Sequence, residues 1–164
     1  MLKMFVRFFR KKRMKTLVLR PQGTHYNLKE IYHRINAEYF DNSLDLGITW
    51  QGNRNCRPRR SIRLGSYHPH KQMIKIHRIL DRPDVPDYFV ASIVYHEMLH
   101  HVLPPLHFVN RRRRVHHRAF LEKEKEFKEY QLAQEFGVLL KKQIFNTNKL
   151  VFNRRKEKIS TFKN

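Results

Sequence analysis

The sequence predicts an α+β domain in which helices pack on a small three-stranded sheet, antiparallel or mixed, around one buried central helix. Three observations predict it. Hydrophobic residues make up 40% and aromatics 12% of the 164 residues, enough for the core of one compact domain. Apolar side chains recur at helical intervals in three segments, 27–40, 88–103 and 115–136. Between the first two lie three short segments of strand character, 46–50, 61–67 and 73–77.

In chain order, the first helix starts near Asn27. Asn27 and Glu30 have capping-box spacing, with Asn in place of the usual Ser or Thr. Leu28, Ile31, Ile35 and Tyr39 form its apolar face, and Asp41, Asn42 and Ser43 end it. In the strands, Ile62 and Leu64 flank Arg63, and Ile74 and Ile76 flank Lys75. Residues 68–72 form the hairpin loop between them, and strand 73–77 is expected at the sheet edge, where a peptide could add as a further strand. Trp50 is expected to pack rather than to stack on bases, Tyr67 to be structural, and His68, His70 and His77 to be surface residues. A turn over 80–86 leads to the central helix, with Pro86 suited to its first position and Asp87 to the positive end of its dipole. From Tyr88 to Leu103 that helix is apolar nearly all round, the mark of a buried helix, and Pro104-Pro105 stops it. The third helix, opened by His116 and His117, packs through Ala119, Phe120, Phe127 and Ala133. The expected organisation is a basic arm over 1–24, a domain over 25–140 and a basic tail over 141–164.

Lys and Arg number 35 against 14 Asp and Glu, a formal net charge of +21. Such a charge speaks to partners rather than fold, and favours polyanions such as nucleic acid. Candidate phosphate contacts are Arg57, Arg59 and Arg60 in one exposed basic loop and Arg111, Arg112, Arg113 and Arg114 in another. The single cysteine, Cys56, excludes an internal disulfide and a cysteine zinc ribbon. No apolar run approaches the roughly 20 residues that span a bilayer, and basic residues interrupt any signal-peptide core in 1–20. An intracellular, cytoplasmic protein is expected, nucleoid-associated where DNA is the partner. Phe5, Phe8 and Phe9 also permit a membrane-surface helix over 1–20.

The chemistry lies in His96-Glu97-Met98-Leu99-His100, within the apolar helix. Histidines four apart share one helical face, so two imidazoles can bind one ion while the backbone keeps its own hydrogen bonds. Glu97, next to His96 around the helix, can reach a metal-bound water without occupying the metal. Zinc lowers the pKa of that water to roughly 7, and the carboxylate takes its proton as hydroxide attacks a carbonyl. Two imidazoles and a carboxylate in a core are costly unless satisfied, and a metal satisfies all three. Catalytic zinc needs a third protein ligand and an open position. By position the candidates are His101, His107, His116, His117 and Glu124.

His96-Glu97-Met98-Leu99-His100, a basic loop, and then His116-x-x-x-Phe120 resemble the SprT-like, or Spartan-type, zinc metalloproteases. The likeness extends to Tyr39-Phe40, Ile48-Thr49-Trp50, Leu64-Gly65-Ser66-Tyr67 and Leu80-Asp81, and so spans 27–135. It implies a zincin-like metalloprotease core, Glu97 as the catalytic residue, and Zn2+ held by His96, His100 and His116. This chain has His117 where the family usually has Gly, so His117 stands beside His116 as a candidate, with His116 preferred. The resemblance further implies protein substrates, notably proteins crosslinked to DNA, and control of activity by nucleic acid. The alternative is a nucleic-acid-binding protein whose zinc site is structural and which has no protease activity.

Overall fold

The computed structural model describes residues 18–55, 58, 61–107 and 113–160, with side chains described as far as 145. The elements run α1 (Leu28–Phe40), β1 (Gly47–Gln51), β2 (Gly65–His68), β3 (Met73–His77), α2 (Asp87–Val102), β4 (Leu106–His107), β5 (Arg113–Arg114), α3 (Arg118–Glu124) and α4 (Tyr130–Ser160). This is an α+β arrangement with a small mixed sheet. None of the described helices is long and apolar enough to cross a membrane. The arm 1–17, with its membrane-surface reading, lies outside the described residues, as do Arg57, Arg59, Arg60, Arg111 and Arg112.

In α1 the Asn27 side chain accepts from the Lys29 N–H and donates to Glu30, closing the first turn. Asp41 and Asn42 then take positive φ, 51° and 56°, and end the helix. Its buried face includes Tyr32 and Asn36 besides the expected aliphatic residues. The Tyr32 hydroxyl donates to the Leu44 carbonyl and accepts from the Leu46 N–H, and Asn36 brackets Leu44. These bonds fix the turn that delivers β1 to the sheet.

Sheet order is β1-β3-β2, with β1 parallel and β2 antiparallel to β3. The expected hairpin joins β2 to β3 through a 3-10 turn at Pro69–Lys71, with Gln72 at φ 44°. Placing strand 73–77 at the edge was wrong: β3 is central. Its Met73, Ile74 and Ile76 are fully buried, and a strand that apolar is most stable with both backbone edges paired. The edge beside α2 belongs to β2. Nor is His77 a surface residue, since it is half-buried and its Nδ1 accepts from the Ile79 N–H.

Asp81 locks the entry to the domain. Its fully buried carboxylate accepts from the N–H groups of Thr24 (2.8 Å), His25 (2.8 Å) and Tyr26 (3.2 Å) and pairs with Arg54 at 2.8 Å. Burial raises its pKa, but these donors outweigh burial and hold it below the ordinary 3.8. The ionised form is thus favoured by folding: the contribution is complete above the unfolded value and is lost as pH falls through the lowered folded one. Asp81→Ala leaves three backbone donors without their acceptor and should cost about 3 kcal/mol. Thermal unfolding of the two proteins at pH 7 and at pH 3 checks this, because the gap between them must narrow in acid.

Helix α2 is buried through Phe89, Val90, Ala91, Val94, Tyr95, Met98 and Leu99, with Pro86 as its N-cap, one place outside the expected first turn. It packs on the sheet through β2 and β3, and on α1, α3 and α4. The single helix expected over 115–136 is two helices. The Tyr95 hydroxyl donates to the Lys123 carbonyl at 2.7 Å, and the Lys128 N–H goes to the Tyr39 hydroxyl at 3.0 Å. At the break the Lys128 N–H is thus held by a tyrosine, the Lys123 carbonyl is shared between Tyr95 and the Glu126 N–H, and Phe127 turns in against the rings of Tyr39 and Tyr95. Helix α4 continues across residue 141, with Leu140 and Ile144 buried.

Candidate metal centre

Helical spacing puts His96 and His100 one above the other on α2. His116 lies in the loop just before α3 rather than opening that helix, and His117 is the helix N-cap. The three imidazoles of His96, His100 and His116 converge. The Nε2 atoms of His96 and His100 are 3.2 Å apart and those of His100 and His116 are 3.4 Å apart. The donor atoms of all three lie within 4.8 Å of one another, so the group can hold a metal ion. No fourth His, Cys, Asp or Glu joins this cluster among the described residues.

The donor set fits zinc. A tetrahedral ion about 2.0–2.1 Å from each nitrogen places two nitrogens roughly 3.3 Å apart, close to both measured separations. Neutral imidazoles are needed as well. Burial, reinforced by His96 and His116, pushes His100 down to about 4, and burial with His96 also lowers His116. Both therefore offer lone pairs at neutral pH.

Phe120 is the floor of the cluster. It is fully buried, stacks on His100 with ring centroids 4.7 Å apart, and meets the rings of His96 and His116. The sequence places Phe120 four residues after His116, and that spacing carries the ring beneath the three imidazoles.

Glu124 was a candidate ligand and takes a different place. Its Oε1 lies 2.6 Å from Nδ1 of His96, on the far side of the ring from the cluster. Burial raises the Glu124 pKa, but the hydrogen bond and charge of His96 outweigh it and the net shift is downward. A carboxylate on Nδ1 fixes the tautomer and ring plane of His96 and leaves Nε2 free to bind. Glu124→Gln should weaken metal binding about 10- to 100-fold without removing a ligand. Titration with a competing chelator measures it, and unchanged affinity would deny Glu124 this orienting role.

Glu97 is 5% exposed and packs against β2. Burial pushes its carboxyl up to about 7, against the opposing pull of His96, the Tyr67 backbone N–H and Arg63. The approach is close: a Cβ on Gly65 would fall 2.5 Å from Glu97 Oε1 and 2.8 Å from Ile93. Glycine at 65 is what lets the strand and the carboxylate meet. The segment Leu64-Gly65-Ser66-Tyr67 held this signal, but its requirement for Gly65 follows only from the packing of β2 on α2.

The other candidates lie elsewhere. His117 is buried and outside the cluster, His101 meets the Tyr67 hydroxyl at 2.7 Å, and His107 is exposed on β4. Arg113 and Arg114 are exposed on β5, which pairs antiparallel with β4. Trp50, Phe89 and Phe127 are core residues, as expected.

Two cavities meet at the cluster. One, of about 510 Å³, opens between α2, α4 and the segment 62–65. The other, of about 670 Å³, lies between β2 and β5. Gly65, His96, Glu97 and His116 line both, so the two form one trough across the histidines. No protein-family model matches the chain, and no curated protein or solved structure is similar to it.

Proposed function

We propose that the protein is a zinc-dependent metalloprotease with a zincin-like, SprT-like core, hydrolysing peptide bonds of DNA-associated or DNA-crosslinked proteins. The observation that carries this reading is the convergence of three imidazole nitrogens beside a buried carboxylate in an open trough. Three ligands and no fourth side chain among the described residues is the pattern of a catalytic site, whereas structural zinc is normally closed by four.

Zinc held by His96, His100 and His116 would supply Lewis acidity, acidifying water and polarising a carbonyl. The chain's own residues do the rest. Glu97 takes the proton of the attacking water on its carboxylate and returns it to the leaving amine. Glu124 holds His96 in register. Among the described residues β2 has no second partner strand, and its Gly65, Ser66 and Tyr67 line the trough, so an extended peptide can add there as a further strand.

The test is metal removal. The zinc-loaded chain should cleave an unfolded protein such as casein, stop on chelation, and recover with one equivalent of Zn2+. A fully zinc-loaded protein that cleaves neither casein nor DNA-crosslinked protein, with or without DNA, would sink the protease reading. The second reading, nucleic-acid binding around a structural zinc, draws on the +21 charge and the exposed Arg113 and Arg114 beside the trough. It predicts DNA binding that falls steeply with salt and accompanies no cleavage.

A further inference from the structure

The trough has two unlike flanks. On the α4 side Leu64, Phe89, Ile93, Phe127 and Val138 form an apolar patch in the same cavity as His96 and Glu97, with Glu124 and Lys141 also in its lining. Gly137 creates part of this space, because a Cβ there would already lie 3.3 Å from the Phe89 ring. A volume of about 510 Å³ is ample for one large side chain, and an apolar wall gains free energy only when an apolar group displaces its water.

The other flank is basic. Arg63 and Arg113 line the cavity between β2 and β5, together with Ser66, Tyr67 and His100. Both arginines are exposed, and neither makes an ion pair among the described residues. No carboxylate other than Glu97 lines that cavity. A ligand crossing the histidines therefore meets an apolar patch on one side and, on the other, two guanidinium groups without an ion pair among the described residues.

We infer that the site selects peptide segments carrying a large aliphatic or aromatic side chain on one side of the scissile bond and an acidic side chain on the other. This rests on the metalloprotease reading and adds its substrate class. The apolar patch distinguishes Leu from Ala by at least about tenfold, the low end for a single methylene in a hydrophobic pocket. The rim arginines contribute a smaller preference that weakens with salt, as exposed charges do.

The experiment uses the full, zinc-loaded chain and uncleavable peptides in which a phosphinate replaces the scissile amide. The residues flanking the phosphinate are Glu or Lys on one side and Leu or Ala on the other, in both orders, and affinities are read by calorimetry. In one of the two orders the Glu/Leu peptide should bind tightest, with Leu favoured over Ala by at least about tenfold. Val138→Trp, at an exposed position on the apolar rim, should erase the Leu preference and keep the Glu preference. Arg113→Glu should do the reverse. Affinities that ignore the flanking residues would overturn the selectivity and leave the protease reading standing. Failure of every phosphinate to bind the zinc-loaded chain would overturn both.

Discussion

The zinc-loaded Glu97→Gln protein should hold one zinc per chain, as the wild type is expected to, and cleave peptide about 10²- to 10⁴-fold more slowly, the range for loss of a general base. The substitution is nearly isosteric, so the close approach to Gly65 is kept. What changes is basicity: an amide cannot take a proton from water or pass one to an amine. Metal retention is expected because the three converging donors are His96, His100 and His116, and Glu97 is not among them. The fold should survive, since a buried neutral amide costs less than a buried carboxylate. Cleavage at the wild-type rate would remove Glu97 from the mechanism. Loss of zinc together with activity would instead make Glu97 part of the metal site. Running zinc content, thermal unfolding and cleavage on one preparation separates these outcomes.

How much of this was legible in the sequence depends on how local each cause is. The metal-binding pair was legible because five residues on one helix determine it. Helices α1 and α2 were legible because their buried faces follow from spacing along a single segment. The break between α3 and α4 was not, since it comes from the hydroxyls of Tyr39 and Tyr95, which lie 89 and 28 positions from their partners. Strand alternation located β3, but the alternating Ile62, Arg63 and Leu64 fall just before β2, which runs Gly65–His68, and alternation carries no information on neighbour order, so the central place of β3 could not be read. The packing of α4 left a signal that was passed over. Ala133, Gly137, Leu140 and Ile144 make a helical stripe, and three of the four are buried while Gly137 faces Phe89. Ala133 was expected to pack, but Gly137 has no side chain to register as hydrophobic, and its smallness is what lets α4 approach Phe89 of α2. Glu124 was marked as a possible ligand because composition identifies a carboxylate but not which side of an imidazole it will meet. The basic loops lie largely outside the described residues, and of their seven arginines the structure locates Arg113 and Arg114.

The choice between His116 and His117 leads to the second large effect. His116→Ala should weaken zinc binding by well over the roughly 100-fold that losing an orienting partner costs, because it removes a ligand outright. His117→Ala should keep one zinc per chain. Adjacent residues are so unequal because His116 lies in the loop before α3 while His117 already caps that helix. His117 is its N-cap, with φ –85° and ψ 175°, an extended conformation that sends neighbouring side chains in different directions. His116 Nε2 lies 3.4 Å from His100 Nε2, whereas His117 is 8% exposed and belongs to no group of converging donors among the described residues. His117→Ala still removes a buried ring, so it should lower the unfolding temperature while sparing the metal. His116→Ala exposes little new surface, because His116 is itself exposed, and in the metal-free form should leave stability near wild type. The two variants thus exchange phenotypes, one losing metal and the other stability. Zinc content by mass spectrometry, beside unfolding of the metal-free proteins, reads both. Zinc lost from His117→Ala and kept by His116→Ala would move the third ligand by one residue and with it the face of the trough open to substrate.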